Sequence, residues 1–199
     1  MQSKLTATIA FAKSPILGKV KTRISLTHGP QIALNIYIEL LSITAQIIAG
    51  TRYHVAYTGS NGPDTLESVF PSAESFFRQS GKDLGKRLHN AFSRFFKIGY
   101  DAVCAIGCDC PALSADDTSY AFRLLEENDV IIGPAHDGGY YLIACKENAL
   151  AIFNAHGWGS PELLGETIAL CRTHGLRYRL LKEKRDIDTY ADYAAWKSK

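Results

Sequence analysis

The chain has 199 residues, 46% of them apolar and 21% charged, with a formal net charge of +2. That is enough for one domain with a sizeable core. The small net charge and the absence of any block of five like charges argue against a general nucleic-acid binder, so any anion site must be local.

Short apolar runs alternate with helical patterns along the chain. The first predicted strand, residues 5–11, runs into "FAKSPILGKVKTR", which gathers Lys13, Lys19, Lys21 and Arg23 around Gly18. Residues 31–49 form the longest apolar segment, yet Asn35, Glu39, Ser42 and Gln46 recur there at helical spacing. Such a polar stripe predicts a soluble helix rather than a membrane span. Strands are predicted at 53–58 and 75–79, followed by a helix over 83–97 with Leu84, Leu88, Ala91, Phe92 and Phe95 on one face. The strand 102–107 leads directly into "GCDCP". Ser114 with Asp117 resembles the capping box of a helix reaching about residue 128. Strands at 130–134 and 140–145 flank the tight turn Asp137-Gly138-Gly139. Trp158 to Ser160 reads as either a lid or a helix entrance, ahead of a helix over 161–174 that Gly175 stops. A last strand at 177–181 precedes "KRDIDTYADY", where Asp188 reads best as the N-cap of a final helix.

Nothing in composition divides the chain, so residues 1–199 are expected to form one domain. Alternating strands and helices imply an α/β fold with a mainly parallel, mixed sheet covered on both faces. Ligands of such sheets bind outside the carboxyl ends of the strands, where "KSPILGKVKTR" and "GCDCP" both begin. The N-terminus shows no export signal, and five cysteines without disulfide-scaffold spacing fit a reducing, cytoplasmic setting. Cys108 and Cys110, a C-x-C pair with no second pair, read as small buried side chains.

Four features carry chemistry. A Gly-containing loop with Lys and Arg suits phosphate, although Lys13 stands where a P-loop needs its first Gly and Val20 where it needs Ser or Thr. A solvated loop with scattered lysines is the plain alternative. Asp109 ends an apolar strand with no Lys or Arg within ten positions, a place suited to Mg²⁺ or Mn²⁺ or simply to a turn before Pro111. Asp186 and Asp188 alternate in an extended segment and would face the same way. Asp137 belongs to a turn that its glycines explain without a ligand, but its position at the sheet's edge suits an acceptor.

The segments "FAKSPILGKVKTRI", "QSGKDLGKRLHNAF", "GCDCPAL", "GPAHDGGYYLIA" and "RDIDT" occur together in this order. Over about residues 5–192 they resemble a bacterial family of the GT-A-like nucleotide-diphospho-sugar transferase superfamily, whose members are named radical-SAM/selenodomain-associated transferases or a domain of unknown function. The first loop is more distantly similar to the triphosphate loops of 2-phospho-lactate guanylyltransferase and molybdenum-cofactor guanylyltransferase. The resemblance implies a three-layer α/β/α sandwich of Rossmann-like GT-A type. It implies that Ala12, Lys13, Gly18, Lys19, Lys21, Thr22 and Arg23 face the nucleotide, that Lys82 and Arg87 face nucleotide or acceptor, and that Lys21 and Arg23 clamp the phosphates. Asp109 would be the principal metal ligand, with Asp186 or Asp188 as the second, for Mg²⁺ or Mn²⁺. Asp137, Gly138, Gly139 and Tyr140 would face the acceptor. This chain lacks the Gly-Gly-x-Gly loop of sugar nucleotidyltransferases and has Lys13-Ser14-Pro15 instead.

The expected activity is metal-dependent nucleotidyl transfer from a nucleoside triphosphate to a small phosphorylated or hydroxyl acceptor, with Lys21, Arg23 and Asp109 as catalytic groups. Glycosyl transfer from a nucleotide sugar is the alternative, and a nucleotide-binding protein without turnover a further one. No nucleic acid or membrane partner is expected, and a homodimer stays open.

Overall fold

The computed structural model describes residues 4–60 and 62–198. Seven strands form one sheet in the order β3-β2-β1-β4-β6-β5-β7. They are β1 (Thr6–Lys13), β2 (Tyr53–Thr58), β3 (Ser75–Arg78), β4 (Ala102–Gly107), β5 (Val130–Pro134), β6 (Tyr140–Cys145) and β7 (Tyr178–Leu180). All neighbours pair in parallel except β6, which lies antiparallel between β4 and β5. Mixed character therefore comes from the hairpin at Asp137-Gly138-Gly139, as its turn residues predict. Every predicted strand is present.

Side-chain alternation makes the layers. Ala7 and Ile9 of β1 and Val103 and Ala105 of β4 meet α4 (Leu84–Lys97), the 3-10 segment Glu147–Asn154 and α6 (Leu163–Thr173). On the other face, Ala10, Ala12, Cys104 and Ile106 meet α2 (Pro30–Ile48) and α5 (Ala115–Leu124). The result is the expected three-layer α/β/α sandwich. By length and apolarity α2 would suffice to cross a membrane, but Tyr37, Leu41, Ala45 and Ile48 are buried against the sheet. Its apolar face is thus used in the core.

Three short elements carry no sequence signal. The segment α1 (Thr22–His28) follows the basic loop, buries Ile24 and has no side-chain N-cap. Neither α3 (Asp64–Glu67) nor the 3-10 segment was expected. The start of α7 (Tyr190–Lys197) corrects a reading: its N-cap is Thr189, whose hydroxyl accepts from Asp192 N–H in a capping box. Asp188 lies one residue outside the helix and is left for other contacts.

Because strand order reverses between β1 and β4, the crevice at their carboxyl ends is the topological switch point of the sheet. Lys13 and Gly107 stand at its two sides. The rigidity of this edge depends on the layer beneath it, where fully buried Phe92 meets Phe153 edge to face with ring centroids 4.8 Å apart. Phe92→Ala is expected to cost about 3 to 5 kcal/mol and to lower the melting temperature by roughly 10 °C, measured by thermal denaturation.

Candidate functional site

A cleft of about 540 Å³ opens at this switch point. Its first wall is the end of β1 and the loop after it. Tyr37 of α2 anchors that end: its hydroxyl accepts from Lys13 N–H at 2.8 Å and donates to Lys13 C=O at 3.1 Å. The chain then leaves the sheet through Ser14, whose N–H donates to Thr58 C=O at 2.7 Å. Gly59 permits this, since a Cβ there would lie 2.8 Å from Ser14 Cβ. The loop returns at Lys21, the one non-glycine residue of positive φ among those described (φ 44°). A left-handed L-residue costs about 1 to 2 kcal/mol, so neighbouring contacts must hold it there.

Those contacts are ionic. The Lys21 ammonium lies 2.6 Å from Asp109 Oδ1 and 3.9 Å from Asp188 Oδ1, and it donates to Ile187 C=O. Its side chain is only 6% exposed, against 44% for Asp109 and 39% for Asp188. Arg23, largely exposed, pairs through Nη1 with Asp188 Oδ2 at 3.0 Å. Lys21 lines the cleft, and its ammonium lies on carboxylates there. Asp109 is thus neutralised from far away in the sequence despite having no cation near it along the chain.

The second wall is built by the 184–188 segment, which runs beside the ends of β5 and β4. His136 N–H donates to Lys184 C=O and Lys184 N–H to Pro134 C=O, at 3.0 and 3.1 Å. Lys184 Nζ is fixed on Ala112 C=O and Asp117. Ile187 N–H then donates to Asp109 C=O at 2.8 Å. Asp109 and Asp188 thereby flank one point, with Asp186 on the same cleft. Cys108 and Cys110 are buried on either side of Asp109, and burial pushes the Cys110 thiol up to about 12. Both are packing groups.

Asp186 is unusual. Burial, and then the charges of Asp109 and Asp137, raise its pKa to about 7, while its Oδ1 is buried with no hydrogen-bond partner. An orphaned buried carboxylate oxygen beside two half-exposed carboxylates is a donor set of hard oxygens, which fits Mg²⁺ or Mn²⁺. Among the described residues, however, no three His, Cys, Asp or Glu side chains already converge tightly enough to hold an ion. The ammonium of Lys21 stands among them instead.

Of the residues expected to face the nucleotide, Ala12, Lys13, Thr22 and Arg87 line the cleft, as do Lys21 and Arg23. Arg87 is held by its Nε donating to Gly81 C=O at 3.1 Å, and Gly81 is required because a Cβ would meet Arg87 N at 2.8 Å. Asp83 caps this turn by accepting from Lys86 N–H. Gly18, Lys19 and Lys82 are not part of the cleft lining, and neither is Gly138. Gly138 instead makes the hairpin possible: its φ is 89° and a Cβ would lie 2.3 Å from Pro161 C=O. Asp137, Gly139 and Tyr140 do line the cleft, and Asp137 Oδ1 accepts from Gly139 N–H at 3.0 Å.

Gln79, which the sequence did not single out, and Trp158, read there as part of a lid or a helix entrance, complete the walls. Gln79 donates from Nε2 to the carbonyls of Ala12 and Ala56, at 3.3 and 2.9 Å. Trp158 packs on Gly85, where a Cβ would lie 2.2 Å from its Nε1, and meets Tyr140 edge to face. That gives the Trp158 to Ser160 turn a place on the cleft and at the entrance to α6. Its only sequence cue was a Trp beside glycines.

Residues 43–160 match the family described as "Uncharacterized protein conserved in bacteria (DUF2064)". The chain belongs to that family. Among solved structures, it is similar to a "putative nucleotide-diphospho-sugar transferase" from Desulfovibrio desulfuricans G20, with 29% identity, TM-score 0.90, and coverage of 98% of this chain and 87% of that one. A cytidylyltransferase from Leptospira borgpetersenii shares the fold at 16% identity and TM-score 0.62, over 98% of this chain and 86% of that one. Glucosyl-3-phosphoglycerate synthase from Mycobacterium tuberculosis, solved with Mn²⁺ and UDP, does so at 10% identity and TM-score 0.60, over 92% and 71%. No curated protein matches the chain by sequence. The family protein has the GT-A-type fold of nucleotide-using transferases, as the motifs imply.

The raised pKa of Asp186 makes a signed prediction. Taking about 3.9 for the unfolded chain, unfolding between about pH 4 and pH 7 releases its proton, so stability declines as pH rises through that window. Asp186→Asn removes that cost and is expected to stabilise the metal-free protein at pH 8 by on the order of a few kcal/mol, with little gain near pH 4. Melting curves in chelator at both pH values check this; an equal difference at both would contradict it.

Proposed function

We propose that this transferase moves a nucleoside monophosphate from a nucleoside triphosphate to a small acceptor, releasing pyrophosphate. The observation that carries the reading is one cleft, at the switch point of the sheet, that sets Lys13, Arg23 and Arg87 against Asp109, Asp186 and Asp188. A triphosphate gains more from several cations than a diphosphate does. Likeness in fold to a cytidylyltransferase supports the same choice.

In this reading the acceptor oxygen attacks the α-phosphorus as the bond to the bridging oxygen of the β-phosphate breaks. The chain contributes chiefly positioning and charge. Lys13, Arg23 and Arg87 bind the phosphates, and Arg87 is pre-oriented by Gly81. Asp109, Asp186 and Asp188 would hold a divalent cation, which when bound supplies positive charge to the phosphate oxygens. A hydroxyl acceptor must lose its proton, and Asp137 is the carboxylate on the acceptor side to take it. A cytoplasmic setting belongs to the proposal, supported by five unpaired, buried cysteines.

Glycosyl transfer from a nucleotide sugar is the second reading. Asp137 on the same cleft as the basic loop favours it, as does likeness in fold to a synthase holding Mn²⁺ and UDP.

A thermal-shift screen against the four nucleoside triphosphates, their diphosphates and nucleotide sugars, with and without Mg²⁺ or Mn²⁺, tests the choice. The expected result is a metal-dependent rise with one triphosphate, worth about 2.7 kcal/mol at a hundredfold excess over its dissociation constant. Asp109→Asn should abolish it. A shift with nucleotide sugars alone would overturn nucleotidyl transfer in favour of glycosyl transfer. Once an acceptor is found, Arg87→Ala is expected to lower turnover about a hundredfold, measured as pyrophosphate release.

A further inference from the structure

The contacts around Lys21 and Arg23 bear on how a cation enters this site. Two carboxylates, Asp109 and Asp188, face the cleft with two cations directly on them: Lys21 at 2.6 and 3.9 Å, and Arg23 on Asp188 at 3.0 Å. Asp186 makes no ion pair among the described residues. The paired charges cancel.

We propose that Lys21 and Arg23 keep Asp109 and Asp188 charge-balanced, so that a divalent cation is admitted only together with the polyphosphate of a nucleotide. This rests on the reading that Asp109, Asp186 and Asp188 face such a cation. A bare dication arriving between those carboxylates meets the Lys21 ammonium across an environment of reduced dielectric, where like charges repel strongly. A dication carried by polyphosphate brings its own negative charge and offers a partner to Arg23.

The two basic residues play unequal parts. Lys21 is 6% exposed, donates to Ile187 C=O and sits on a left-handed backbone, so it stays under the carboxylates as a fixed cation. It is a positioning residue, since its charge reaches the ligand only through Asp109 and Asp188. Arg23 is 72% exposed and held by a single carboxylate, so it is free to turn toward a phosphate. Turning leaves Asp188 with only its longer contact to Lys21, at 3.9 Å. The exchange of one partner for another couples the cation to the polyphosphate without any larger movement of the fold.

The test uses the full chain, calorimetric titration and inorganic probes: Mn²⁺ alone, tripolyphosphate alone, and premixed Mn²⁺–tripolyphosphate. The native protein is expected to bind the premixed complex at least about tenfold more tightly than Mn²⁺ alone. Lys21→Met is expected to tighten binding of Mn²⁺ alone by about tenfold or more, and Arg23→Met by a smaller factor because its pair is exposed. Lys97→Met, exposed and without an ion pair among the described residues, should leave the binding of Mn²⁺ alone as in the native protein. If Lys21→Met fails to fold by circular dichroism, Arg23→Met and the native comparison decide the matter by themselves. Mn²⁺ alone binding the native protein as tightly as the premixed complex, and lost in Asp109→Asn, would overturn the coupling and leave the cation site standing. No binding of either Mn²⁺ probe would overturn both.

Discussion

A single buried ammonium joins three parts of the chain that are far apart in sequence. Lys21 comes from the loop after β1, Asp109 from the end of β4, and Ile187 and Asp188 from the segment after β7. Remove the charge, and Asp109 and Asp188 face one another with Arg23 as the remaining direct partner. A buried ion pair is close to neutral for stability when compared with apolar packing, yet removing one partner costs several kcal/mol because the other is left uncompensated. The constraint is thus geometric more than energetic: it sets where the loop returns and how far apart the carboxylates stand.

The sheet makes that meeting possible. With β6 the one antiparallel strand, the hairpin at Asp137 to Gly139 lies at the same edge as the ends of β1 and β4. Basic and acidic groups therefore share one crevice at a place where strand order reverses. Backbone pairing then brings the segment beyond β7 along Pro134 and back to Asp109. A carboxyl group at residue 186, buried and without a partner on one oxygen, is tolerated because its pKa rises to about 7. Local cost at such a point is a common mark of a working site, since it persists only where the surroundings over-determine it.

Much of the fold was legible because the central strands β1, β2, β4, β5 and β6 are buried and read as mostly apolar runs, while the edge strands β3 and β7, less buried, also stand where the sequence placed them. The amphipathic helices α2, α4 and α6 were legible from their 3.6-residue pattern. Elements stabilised only by tertiary contacts were not: α1 has no side-chain cap and buries one residue, Ile24. At Asp188 a local rule misled, because Thr189 is an equally good cap and its partner Asp192 completes a capping box. Gln79 was invisible as a site residue because its chemistry is ordinary and only its packing places it on the cleft, while Trp158 was visible only as part of a lid or a helix entrance, a choice that packing decides.

By itself the sequence determined the layer architecture, the edge at which the motifs collect, and the identity of the charged groups there. Those follow from periodicity, strand-end placement and residue type, which are local properties. Only the tertiary structure decided which charges touch. The Lys21 ammonium lies on Asp109, which had no cation near it in sequence but has one at 2.6 Å in space. Ion pairing depends on through-space distance and burial, and a separation of 88 residues along the chain carries no information about either.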